Sequence, residues 1–250
     1  RTAYKYKTAG VDTNVIRVPM TSDHRHDLNA MLSAITPRTS LIVITNPNNP
    51  TGTLLSYAEL ERFVNAVPSN IIILIDEAYV HFTEDPTYRR AIPLALTNDN
   101  VIVTRTFSKV YGMPGMRLGY AVSRGTIQKQ LEFYEPMINF FPRLTLAAGI
   151  EAAKDLDHVK RSQQVVKDFR DTCYAELDKS GIQYIPSHTN FFMIETGHNA
   201  DEVSAELFKR RVKVAARTQE KMPTWIRVSA GTESETRVFL NEFKDVLSKM

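Results

Sequence analysis

Through the first half of the chain, short apolar runs alternate with segments whose apolar residues recur every three or four positions. The runs Asn14–Val18, Leu41–Thr45, Ile71–Asp76, Val101–Thr104 and Leu118–Ser123 read as strands. Several are apolar throughout, the pattern of strands covered on both faces of a parallel sheet. Between two of them, Ser56-Tyr-Ala-Glu59 forms a capping box that opens a helix with Leu60, Phe63, Val64 and Val67 on one stripe. Strand, helix, strand in repetition predicts an α/β fold with a mainly parallel sheet.

After about Gly125 the pattern changes. One long helix is predicted from near Pro142 to Ser180, ended by Gly181 as a C-cap. Within it Phe169, Cys173 and Leu177 recur every fourth residue, which puts Cys173 on the buried stripe as a structural thiol. A strand (Phe191–Glu195), a helix (Ala200–Arg211), a strand (Thr224–Val228) and a last helix follow. The last helix opens on a second capping box, Thr232-Glu-Ser-Glu235. The expected organisation is a large domain over residues 1–140 and a smaller α+β domain over residues 141–250.

Composition narrows the function classes. Of 250 residues, 43% are hydrophobic, enough apolar surface to exclude a disordered chain. The longest apolar run, Ile71 to Ile75, is far short of the ~20 residues that cross a bilayer, so no membrane role is expected. The single cysteine cannot form an internal disulfide, which favours a reducing, cytoplasmic setting. The 31 Lys+Arg against 28 Asp+Glu leave a net charge of +3, but the only basic runs are Arg89-Arg90 and Lys209-Arg210-Arg211. Nucleic-acid binding needs a longer basic face than these provide.

Four constellations stand where a strand gives way to a loop, the place at which open parallel sheets gather ligand groups. The first is Asn46-Pro-Asn-Asn-Pro-Thr-Gly52, whose Pro and Gly suit a turn but whose asparagines exceed what a turn needs. The second is Asp76-Glu-Ala-Tyr79, where the plain alternative is an Asp capping a strand end and a Tyr packed on the sheet. The third is Arg105-Thr-Phe-Ser108-Lys109 followed by Arg117, which alone reads as a glycine-loosened loop with solvated cations. The fourth is Arg227 in the apolar strand Trp225-Ile-Arg-Val-Ser229, which needs an anion or an internal ion pair.

In this order the four resemble the fold-type I pyridoxal-phosphate aminotransferases of class I/II, and their wording is most similar to the histidinol-phosphate aminotransferase branch. The resemblance runs over almost the whole chain. It implies the aspartate-aminotransferase-like fold, with a mainly parallel seven-stranded-type sheet and a smaller C-terminal α+β domain. It also implies a pyridoxal 5'-phosphate cofactor covalently held by Lys109. Asp76 would keep the cofactor ring nitrogen protonated, and Tyr79 and Asn49 would bond its phenolic oxygen. Thr106, Ser108 and Arg117 would form the phosphate cup, hydroxyls and a planar fork suiting that anion. Arg227, with Asn49, would bind the anionic end of the substrate. Arg217, ten residues earlier, reads better as an exposed loop arginine than as a second anion contact.

The implied activity is transfer of an amino group from histidinol phosphate or an aromatic amino acid to a 2-oxo acid such as 2-oxoglutarate, by a cytoplasmic homodimer. A threonine-phosphate decarboxylase-like lyase and the ligand-sensing domain of a transcription regulator share the same scaffold and stand as alternatives. The family's phosphate-cradling glycine loop and its partner-donated tyrosine are expected upstream of Arg1. The aromatic that stacks on the cofactor is expected near residue 1, with Tyr4 or Arg1 as occupants.

Overall fold

Strands β1 (Leu41–Thr45), β2 (Ile72–Asp76) and β3 (Val101–Thr106) lie side by side and parallel, and β4 (Gly119–Val122) returns antiparallel along β3. The structure is a computed structural model and describes residues 14–85, 88, 90–134 and 142–250. Alternation along the strands sorts the two faces. Ile44, Ile73, Ile75, Val101 and Val103 are fully buried. They pack with Leu60, Phe63 and Val64 of α2 (Tyr57–Ala66) and Leu94 of α3 (Ile92–Thr97) in one core. Each such side chain contributes about 1.5–3 kcal/mol of burial free energy. The capping box of α2 is complete: Ser56 Oγ accepts from the Glu59 amide, and the Glu59 carboxylate accepts from the Ser56 amide. Glu59 is also gripped by both carboxylate oxygens from Arg25, at 2.8 and 2.7 Å, which ties the segment before α1 (Leu28–Ser33) to α2.

The second sheet is antiparallel throughout, in the order β5 (Tyr184–Ile185), β6 (Phe191–Glu195), β8 (Met222–Ser229), β7 (Ala215–Arg217). Helices α6 (Leu156–Lys179), α7 (Ala200–Lys209) and α8 (Glu233–Lys249) cover one face. Phe169, Cys173 and Leu177 of α6 meet Phe192 and Ile194 of β6 there, with Phe239 and Phe243 from α8. Burial pushes the Cys173 thiol up to about 12, which leaves it an inert core residue. The capping box at Thr232 and Glu235 is present.

The two sheets are joined through buried residues. Phe191, at the start of β6, turns away from the second core and packs with Tyr79, Phe82, Val110 and Val166. Arg170 of α6 is buried and donates to the carbonyls of Ser187 (2.6 Å) and Thr189 (3.3 Å) and to Glu84 Oε1 (2.7 Å). Gly52 sits at φ +77°, and a Cβ there would lie 2.1 Å from Ser187 Oγ. Its carbonyl accepts from the His188 amide at 2.8 Å, so only glycine brings the Asn46–Gly52 loop this close to the second sheet.

Several expectations change. Asn14–Val18 forms no strand: Val15 and Ile16 are more than half exposed, and among the described residues no strand lies beside this run to offer it a ladder. Strand β3 continues through Arg105 and Thr106, because β4 pairs with them at Tyr120 and Gly119. The first sheet's apolar strands are packed by α2 and α3 on one face, while Ile72, Leu74 and Ile102 on the other are only half-buried. The single helix expected from Pro142 to Ser180 is two, α5 (Arg143–Lys154) and α6, broken at Asp155, whose carboxylate caps α6 by accepting from the His158 amide. Helix α7 stops at Lys209, since Arg211 takes a positive φ of 64°. Of the implied seven-stranded sheet, the described residues contain these four strands. The expected domain boundary at 140/141, and Arg1 and Tyr4, lie outside the described residues.

Candidate active site

The open side of the first sheet holds a cavity of about 400 Å3 at the carboxyl ends of β2 and β3. Val43, Leu74 and Thr104 floor it, and Asp76, Ser108 and Arg117 are among the polar groups that line it. Strand alternation puts Asp76 here and sends Glu77 through to the other face.

Asp76 is half-buried, with Oδ1 accepting from the Ala78 amide (3.0 Å) and the Thr104 hydroxyl (3.3 Å). Burial pushes its carboxyl above the usual range. The Ala78 and Thr104 hydrogen bonds and the Lys109 ammonium pull it back only in part, and Glu77 adds to the rise. Glu77 itself is fully buried and accepts from Arg105 (2.8 and 2.6 Å), the Tyr88 hydroxyl (2.9 Å) and the Ala91 amide (2.6 Å). Arg105 is therefore no solvated cation. With Glu77 it clamps β2 to β3 from behind the cavity, which fixes Asp76 and Thr106 on the side that faces it.

The turn after β3 carries the amine. Thr106 Oγ1 accepts from the Ser108 amide at 3.0 Å and donates to the Leu118 carbonyl at 3.4 Å. Lys109 Nζ lies 5.1 Å from the centre of the Tyr79 ring. Tyr79 is buried and meets Phe191 edge to face, with ring centres 5.1 Å apart. Arg117 is exposed, adopts a left-handed φ of 51° and donates to the Pro114 carbonyl at 3.0 Å.

The asparagines divide into two kinds. Asn46 is fully buried and exchanges hydrogen bonds with the Leu55 main chain, and Asn48 donates to Thr51 Oγ1 at 2.8 Å; both build the loop. Asn49 points elsewhere: its Oδ1 accepts from an Arg227 terminal nitrogen at 2.8 Å. The Arg227 guanidinium lies 4.6 Å from the centre of the Phe191 ring. A chain of contacts thus runs Lys109, Tyr79, Phe191, Arg227, Asn49 across both sheets. Arg217 ends β7, partly buried and in a strand, where an exposed loop was expected.

The sequence matches the family "Aminotransferase class I and II" over residues 4–243. The chain belongs to that family. Among relatives, the chain is 33% identical over 246 residues to histidinol-phosphate aminotransferase of Moorella thermoacetica, which covers 98% of this chain and 63% of that protein. To histidinol-phosphate aminotransferase 2 of Carboxydothermus hydrogenoformans it is 36% identical, over 90% of this chain and 62% of that protein. The chain thus spans a little under two thirds of the length of these relatives. Its fold matches the histidinol-phosphate aminotransferase of Sinorhizobium meliloti, solved in complex with pyridoxal-5'-phosphate, with a TM-score of 0.85 at 26% identity, over 94% of this chain and 65% of that one. An aspartate aminotransferase of Thermus thermophilus gives a TM-score of 0.79 at 21% identity and shows the shared fold alone.

The donor set of the cavity fits a ligand that is a protonated heterocycle at one end and a phosphate at the other. The half-buried carboxyl of Asp76 lies within it, and Thr106, Ser108 and Arg117 are among the groups that line it. Phe191, Glu77 and Arg170 were not legible as site residues. Phe191 is one apolar residue in an apolar strand, and Glu77 gains its meaning only from the alternation that separates it from Asp76.

Proposed function

We propose that this chain carries the active site of a pyridoxal-phosphate-dependent aminotransferase. The donor is an amino phosphate such as histidinol phosphate or an aromatic amino acid, and the acceptor a 2-oxo acid such as 2-oxoglutarate. The observation that carries this reading is the cavity at the ends of β2 and β3, which brings Asp76 together with Thr106, Ser108 and Arg117, with Lys109 on the turn after β3 and its amine over the Tyr79 ring. When bound, the cofactor supplies an electron sink for the bond broken at the substrate carbon.

The remaining work falls to the chain. Lys109 forms the covalent attachment and moves a proton to and from the substrate carbon, while the aromatic face of Tyr79 beneath its amine limits where Nζ can reach. Asp76 holds a proton on the cofactor ring nitrogen, an ionic pairing that makes good the cost of its own burial. Thr106, Ser108 and Arg117 receive the phosphate. Tyr79 and Asn49 hold the ring oxygen. Arg227, oriented by Asn49, receives the carboxylate or phosphate of the substrate. Residues up to 140 thereby hold the cofactor, and those from 141 present the anion site. Pairing into a homodimer completes the proposal.

The test is a half-reaction. The protein is loaded with pyridoxal phosphate and mixed with histidinol phosphate, phenylalanine, tyrosine or threonine phosphate in turn, and the aldehyde-to-amine conversion is followed by absorbance. Conversion with an oxo product supports transamination; release of CO2 from threonine phosphate assigns the lyase.

A further inference from the structure

We infer that Phe191 is a positioning residue for Arg227, holding the guanidinium plane in the orientation in which Asn49 and a substrate carboxylate share it. The inference rests on the reading of Arg227 as the anion site. Its basis is the contact geometry at the sheet junction, where the guanidinium carbon stands 4.6 Å from the Phe191 ring centre. The ring is 2% exposed, so water does not compete for that contact.

The chemistry favours an aromatic at this place. A cation held by the negative face of an aromatic ring keeps its charge and its in-plane N–H groups for other partners. A flat guanidinium can stack on a ring face, whereas an aliphatic side chain of similar volume would fill the space without fixing the guanidinium plane.

The ring itself has little freedom. Tyr79 meets it edge to face at 86°. The Phe191 carbonyl accepts from the hydroxyls of Ser187 and Thr189, the latter at 2.8 Å. The carbonyls of those two residues are in turn held by the buried Arg170. The loop before β6 is thus fixed from both ends, and Phe191 transmits its position to Arg227 on β8 and to Tyr79 under the Lys109 amine.

The test is a cycle of variants in the cofactor-loaded protein, with succinate, an unreactive dicarboxylate, as the calorimetric probe. Phe191→Leu weakens succinate by about tenfold, the scale of a desolvated cation–π contact. Site-specific replacement of Phe191 by pentafluorophenylalanine keeps the ring's shape but removes its negative face, and gives a similar loss even if the leucine variant packs poorly. In an Arg227→Gln background neither change weakens binding further. The Arg227 Nε–H proton resonance moves downfield in Phe191→Leu as the shielding of the ring is lost. Wild-type succinate affinity in both Phe191 variants, with Arg227→Gln still weak, overturns the inference and leaves Phe191 a core residue. Wild-type affinity in Arg227→Gln itself overturns the reading of the anion site instead.

Discussion

Arg227 donates to the side-chain oxygen of Asn49 at 2.8 Å across 178 residues of sequence, joining the loop after β1 to the second sheet. The bond does two things. It orients the guanidinium, and it ties the loop that follows β1 to β8.

Replacing that guanidinium by the point charge of lysine removes the planar fork and its hydrogen bond to Asn49. Arg227→Lys is expected to weaken dicarboxylate binding by about ten- to a hundredfold, the ~1.5–3 kcal/mol of a hydrogen bond to a charged group. Asn49→Ala is expected to do the same to a smaller extent. Michaelis constants for both substrates that rise together check this, since both present an anion to the same site.

Asp76 is expected to limit stability in the cofactor-free protein. Its folded carboxyl is raised above the unfolded value, mainly by burial, so its contribution to stability is fully present below the ordinary carboxylate range and lost as pH rises through the folded value. Asp76→Asn keeps an oxygen for the Ala78 amide and the Thr104 hydroxyl. It should therefore melt at a higher temperature than wild type at pH 7 and at the same temperature near pH 3. The same variant should lose several orders of magnitude in turnover, at about 1.4 kcal/mol for each tenfold.

The fold was largely legible in periodicity and capping. Both capping boxes are where Ser56 and Thr232 place them, and Phe169, Cys173 and Leu177 face the core that their spacing implies. What periodicity could not read was pairing: Asn14–Val18 has strand-like residues but no paired strand among the described residues, and Arg105 joins β3 only because Tyr120 lies opposite. Among the candidate site residues, Asp76, Thr106, Ser108 and Arg117 line one cavity. Lys109, Tyr79, Arg227 and Asn49 are linked to one another through Phe191, a residue whose part depends on a contact between distant segments and leaves no mark in its own neighbourhood.

The buried pair of Glu77 and Arg105 gives a separate prediction. Glu77→Ala leaves a buried guanidinium without its carboxylate and removes the acceptor for Tyr88 and Ala91, so a loss of about 3–5 kcal/mol is expected in denaturant unfolding. The double variant Glu77→Gln, Arg105→Met should recover part of it, because the uncompensated charge is gone and the amide oxygen still accepts.

Acid sensitivity should trace to His81. Burial, with Arg90 and Arg105 nearby, lowers its ring from 6.5 to about 4. A base depressed in the folded state supplies stability that is present above pH 6.5 and lost as pH falls toward 4, since the unfolded chain takes up the proton first. His81→Phe keeps an aromatic against Tyr111 and should flatten the melting temperature across that window. Part of the slope should remain from His26 and His188, which burial depresses in the same direction.

The most direct test of the central claim is the identity of the lysine that takes the cofactor. The protein is equilibrated with pyridoxal phosphate, treated with borohydride, digested and mapped by mass spectrometry. The account predicts the pyridoxyl group on Lys109, with the label lost in Lys109→Ala. A label on another lysine at equal occupancy in wild type and Lys109→Ala would contradict it.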